Sequence, residues 1–135
     1  MKNFIIILFL LPLITFGQLD YENPPWDIGC DSLNTQTEMN ICSYKASQIA
    51  DSILLKLLDD NLKYYTSSAY SEKVLELFHK SQSAFIEYRK SLVDFESSKW
   101  EGGSIRPLMC NMVHLSATVS RIKELEALLE DNLNK

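Results

Sequence analysis

The stretch Thr35-Gln36-Thr37-Glu38-Met39-Asn40-Ile41-Cys42-Ser43-Tyr44-Lys45-Ala46, continued without Gly or Pro past Tyr65, decides the fold. Thr35 and Glu38 have the spacing of a capping box, in which the threonine hydroxyl accepts from the amide three residues on and the glutamate reaches back to the cap. Apolar or small residues then recur at Met39, Cys42, Ala46, Ile49, Ala50, Ile53, Leu57 and Leu58, the three-and-four spacing of one helical face. The pattern predicts a helix from Thr35 to about Tyr65.

Downstream, Thr66 to Ser71 is a short polar break, and Ser71 is placed to cap a second helix with apolar positions Val74, Leu75, Phe78, Phe85, Leu92 and Val93. Trp100 and Gly102-Gly103 close that helix. Ser104 is placed to cap a third, with Pro107 tolerated in its first turn because the amide it lacks has no helical partner there. The third stripe runs through Leu108, Met112, Leu115, Val119, Ile122, Leu125 and Leu129. Three helices of similar length on short links predict an all-α, up-down-up three-helix bundle. Glu124, Glu126, Glu130 and Asp131 read as a solvated face of the last helix.

Upstream, residues 18–34 are rich in turn formers, with Asn23-Pro24-Pro25-Trp26 and Gly29, and predict an extended lead-in. Trp26 has two readings there: an aromatic that packs over one end of the domain, or one that contacts a partner. Ahead of it, Lys2, the apolar run Phe4 to Phe16 and the Thr15-Phe16-Gly17 site form an export signal, with cleavage expected before Gln18. The run of ~13 residues is short for a spanning helix and no basic stop-transfer flank follows it. The first cysteine, Cys30, stands too far on to carry a lipid at that site. The organisation expected is therefore residues 1–17 as signal peptide, 18–34 as lead-in and 35–135 as the helical domain, in a periplasmic or secreted protein that does not span the membrane once the signal is removed.

Removing 17 of the 135 residues leaves 118, enough for one domain with a modest core and no second. The formal charge moves from −5 to −6, with 12 basic against 18 acidic residues. This argues against nucleic acid as a partner. It suits both solubility and encounter with a cationic protein.

The topology places Cys30, Cys42 and Cys110 at one end of the bundle. Export permits a disulfide, and the odd count leaves one thiol over. Cys30 with Cys42 is the favoured pair, pinning the lead-in to the first helix; Cys42 with Cys110 competes, and a dimer linked through Cys110 stays open, although a monomer is expected. Cys110 and His114 are also one turn apart, a legitimate spacing for two metal ligands, with Asp94 or Glu101 as conceivable additions. His79 is at the opposite end, so no metal site and no cofactor is expected. The same pair lacks an orienting group or oxyanion turn for nucleophilic catalysis. Asp59 and Asp60, adjacent on a helix, point to different faces and make no glycosidase pair. No enzyme is indicated.

Several separated motifs carry a resemblance: Cys30 to Cys42 enclosing Thr37-Glu38-Met39-Asn40, then Ala50-Asp51, Gln82-Ser83-Ala84-Phe85 leading to Tyr88-Arg89, Gly102-Gly103-Ser104-Ile105, Cys110, and Thr118 with Arg121. Over Cys30 to about Leu128 the chain resembles the lysozyme inhibitor LprI-like family of small exported proteins. Two departures stand out: Phe85 where many members look to have Trp, and Val93 where many have a further Cys. If that Cys normally pairs with the counterpart of Cys110, Cys110 is single here. The resemblance implies a binding protein that inhibits lysozyme; the rival class is a non-enzymatic envelope adaptor that docks one helical face on another protein.

The motif residues also have a physical reading. Gln82, Phe85 and Arg89 share one helical face, and folding the helices back brings Asp51, Thr118 and Arg121 to the same level. A buried polar layer of Asp51, Gln82, Arg89, Thr118 and Arg121 is expected, selecting one register among those three greasy helices could adopt. Trp26 in the lead-in, and Glu96 and Glu101 around the second connection, are the expected positions for partner contact.

Overall fold

The computed structural model describes residues 18–135; the expected export segment, residues 1–17, lies outside them. Three helices account for most of this length: α1 Gln36–Ser67, α2 Glu72–Ser98 and α3 Arg106–Leu133, preceded by a single 3-10 turn at Cys30–Ser32. Among the described residues there is no strand, and the molecule is the all-α three-helix bundle that the apolar periodicity predicts.

The capping box opens α1 as the sequence requires. The Thr35 hydroxyl accepts from the Glu38 amide at 3.2 Å, and the Glu38 carboxylate accepts from the Thr35 amide at 3.2 Å. The helix runs two residues beyond Tyr65, with the Thr66 and Ser67 hydroxyls turned back onto the carbonyls of Leu62 and Tyr64. The other two caps differ from expectation. Ser71 occupies the cap position of α2 without a side-chain cap bond; its carbonyl accepts from the Val74 amide instead. The cap of α3 is Ile105, not Ser104, because a turn from Gly103 to Arg106 displaces the start by one residue and the Ser104 carbonyl accepts from Asn40 Nδ2 at 3.1 Å. Gly102, at φ +77°, supplies the left-handed step that turns the chain out of α2.

Hydrogen bonds between helices fix their directions. Asn111 reaches Ser43, His114 reaches Asp51, Asn61 reaches the Leu125 carbonyl, and Tyr64 reaches the Asn132 carbonyl. Numbers rise together, so α1 and α3 are parallel. Along α2 they fall as the others rise: Arg89 meets Asp51 and Thr118, Gln82 meets Arg121, and Phe78 packs on Tyr65. α2 is therefore antiparallel to both, the up-down-up order.

The three contacts are unequal. Ser43, Ala46, Ser47 and Ala50 give α1 a buried strip of small side chains, which lets α3 approach closely and makes that pair the most extensive contact. Ala50, Ile122 and Leu125 are fully inaccessible, with Leu54, Ala46 and Trp26 around them. Each fully buried Ile or Leu contributes about 1.5–3 kcal/mol by removal from water. α2 packs mainly on α3, meets α1 along a narrow seam, and has one buried residue, Ser97.

The lead-in is a strap. Gln18 donates to Glu130, the Leu19 amide and the Tyr21 hydroxyl donate to Glu126, and Lys123 lies 4.8 Å from the Tyr21 ring centre. Trp26 inserts into the core, and a disulfide joins Cys30 to Cys42. Glu126 and Glu130, expected on a solvated face, therefore accept the strap; acids one turn apart can serve either purpose, and only the returning chain decides. No helix among the described residues is long and apolar enough to cross a membrane.

Candidate functional site

At mid-height of the bundle, Asp51 of α1 receives groups from both other helices. Arg89 Nη1 of α2 donates to its Oδ1 at 2.8 Å, and His114 Nε2 of α3 lies 2.8 Å from its Oδ2. Arg89 Nη1 also donates to the Thr118 hydroxyl at 2.7 Å, and that hydroxyl lies 2.8 Å from the His114 carbonyl. A second cluster stands one turn along. Arg121 Nε donates to Gln82 Oε1 at 3.1 Å, while its terminal nitrogens donate to Ser81 and Glu124. The Phe85 ring separates the two, with the guanidinium carbons of Arg89 and Arg121 at 5.2 and 5.7 Å from its centre.

The expected layer thus resolves into two clusters on either side of an aromatic ring. Burial is a correction: Thr118 is fully enclosed, but the Asp51 side chain is 36% exposed and Arg89 is 16% exposed. The narrow α1–α2 seam leaves this edge open to water. His114 is a member that sequence reading assigned elsewhere, as a possible partner of Cys110. Its position four residues before Thr118, on the same face of α3, is the signal that would have found it. The Asp51 carboxylate, engaged by Arg89 and His114, joins all three helices.

Cys110 is half-buried and free. Among the described residues no group of three or more His, Cys, Asp or Glu is placed to hold a metal. The residues named for partner contact are scattered. Trp26 is only 8% exposed, packed with Leu54, Ile122 and their neighbours, and offers a partner little surface. Glu96 is bonded to Lys99 at 2.6 Å, which offsets its charge, whereas Glu101 is exposed on the α2–α3 connection.

A different feature lies where the strap meets the first turns of α1 and α3. Trp26, Ile28, Met39, Leu108, Met112 and Leu115 line an open cavity of about 490 Å³, with the acids Asp27 and Asp31 in its wall. Gly29, at φ +76°, turns the chain into the 3-10 turn that carries Cys30 to its disulfide. This cavity was not anticipated, since it needs three distant segments brought together.

No curated protein and no solved structure matches the chain. A family model described as lysozyme inhibitor LprI matches residues 30–125, from the disulfide through α1 and α2 and along α3 to about two turns before its end. With well over half its length matched, including every element that builds the clusters around Asp51 and Arg121, the chain belongs to the LprI lysozyme inhibitor family.

Proposed function

We propose that the mature chain is an exported, non-catalytic helical protein that inhibits a lysozyme by protein–protein contact. The observation that carries this reading is the family match over residues 30–125. The net charge of −6 expected after signal removal is consistent with attraction to a cationic enzyme. Residues 1–17 serve as the export signal in this reading, residues 18–34 as the strap and residues 35–135 as the helical domain, acting as a monomer in the periplasm or outside the cell. The paired polar residues at mid-height are architectural, and contact is made by the exterior.

The test is direct. Purified mature chain is added in excess to several types of lysozyme acting on bacterial cell walls, and clearing is followed; slowed clearing with at least one type is expected, and no slowing with any would remove the inhibitor reading. A second reading, an envelope adaptor, draws on the exposed apolar residues Ile41 and Tyr44 of α1 and Tyr88 of α2. Association that weakens steeply with salt favours the inhibitor, and a salt-tolerant complex favours the adaptor.

A further inference from the structure

The cavity between the strap and the first turns of α1 and α3 combines three properties. It is concave and apolar, with Met39, Leu108 and Met112 on the helical side and Ile28 on the strap. Those walls face solvent: Met112 is 51% exposed and Ile28 41%. Both charged residues in its lining, Asp27 and Asp31, are acids, both are exposed, and neither forms an ion pair within the described residues.

We propose that this groove is the partner-binding surface, and that it takes an apolar side chain flanked by Lys or Arg on a protruding segment of a cationic protein. The proposal deepens the inhibitor reading and rests on it for the identity of the partner. About 490 Å³ is room for one or two large side chains. Two methionines in the wall can adjust to an irregular occupant, because the thioether chain is unbranched and polarizable. Asp27 and Asp31 stand where a basic group beside that side chain would arrive, and such charges accelerate the encounter as well as select for sign. The wall is held in place from behind by the disulfide at Cys30 and by Trp26 in the core, so little ordering remains to be done on binding. Phe95, exposed elsewhere, suits a cationic partner less well. Phe95, on α2, is covered by its own cation, with Lys99 Nζ 4.7 Å from the ring centre.

Two measurements test this. In the first, the isotope-labelled mature chain is titrated with the peptide acetyl-Lys-Phe-Lys-amide and with acetyl-Glu-Phe-Glu-amide. Amide shifts at Met39, Ser43, Leu108 and Met112 are expected with the basic peptide alone; no shifts there, or equal shifts with both peptides, would overturn the proposal. In the second, lysozyme inhibition is compared for Met112→Lys, for the double variant Asp27→Asn/Asp31→Asn, and for Leu55→Lys at an exposed α1 position outside the groove. Met112→Lys should weaken inhibition roughly tenfold or more and the double variant roughly threefold to tenfold, with Leu55→Lys unchanged. All three keep exposed positions exposed, and circular dichroism confirms that they fold. Full inhibition by folded Met112→Lys places the contact elsewhere and overturns the proposal. If the unaltered chain inhibits no lysozyme, the functional reading fails on its own, and the peptide titration still decides whether the groove binds this chemistry.

Discussion

Arg89 Nη1 lies 2.8 Å from Asp51 Oδ1, joining α2 to α1 along the seam where these helices touch least. Apolar packing does little there to fix how α2 is seated. The pair, with Thr118 beneath and His114 on the other carboxylate oxygen, sets the height of α2 against both of its neighbours. A groove that depends only on α1, α3 and the strap is insulated from this arrangement.

Replacing Arg89 by Met removes the cation and leaves Asp51 with His114. The pair is partly exposed, so its loss falls between the small cost of a surface pair and the larger cost of breaking a buried one, about 2 kcal/mol. For a domain of this size a fall of roughly 8 °C in melting temperature is expected, with helicity kept and inhibition unchanged at 25 °C. An unchanged melting temperature accompanied by lost inhibition would mean that Arg89 contacts the partner.

Asn61 is fully enclosed between α1 and α3. Its Nδ2 donates to the carbonyls of Leu57 and Leu125 at 2.9 and 3.1 Å, while Oδ1 is buried without a partner. Both carbonyls belong to helical residues, so the bonds add modestly, whereas the orphaned oxygen carries a desolvation cost. Asn61→Leu should therefore stabilise the chain by about 1 kcal/mol, read as a rise of roughly 4 °C, and Asn61→Asp should destabilise it by several times that through a buried charge. A fall for Asn61→Leu would show that the amide secures the register of α1 on α3 more than its pairing suggests.

The helices were legible because each is long and amphipathic, with no Gly inside it and no Pro beyond the first turn, and the level of Asp51, Arg89 and Thr118 followed from counting turns. What sequence could not supply was the return of the strap. Glu126 and Glu130 look like any exposed acids until Gln18, Leu19 and Tyr21 arrive, and nothing in Asn23-Pro24-Pro25-Trp26 says which helices it crosses. His114 was legible in principle, one turn from Thr118, but its spacing from Cys110 suggested a different partner. The exposure of the polar clusters was not legible either, because periodicity gives the inward face of α2 but not how far α2 stands off α1.

The disulfide closes a short loop, with Cys30 and Cys42 separated by 12 residues, and holds the strap against the start of α1. Changing both to Ser should cost roughly 2–4 kcal/mol. It should also loosen Trp26, which is 8% exposed against 40% for Trp100, so a red shift in tryptophan emission is expected along with the lower melting temperature. Thiol titration of the unreduced, denatured chain should count one group, Cys110, rising to three after reduction. Three groups before reduction would show that the strap is held by packing alone.

Tyr21 ties the other end of the strap down, and its titration should report on that attachment. Burial, and then donation to the Glu126 carboxylate, push its hydroxyl well above the ordinary tyrosine value of 10.0. Since the folded state holds this proton more tightly than the unfolded chain does, the stabilisation is complete below pH 10 and declines as the pH rises from there toward the folded value. Tyr21→Phe, which cannot donate to Glu126, should be less stable than the unaltered chain by about 1 kcal/mol at neutral pH, a modest figure because the contact is largely exposed. The difference should hold to about pH 10 and shrink above it. Absorbance near 295 nm should lose one late-titrating phenol in Tyr21→Phe, leaving Tyr70, which its hydrogen bond with Tyr64 also raises. A difference in stability that grows above pH 10 would reverse the sign of this linkage and show that the strap is not held through the protonated Tyr21.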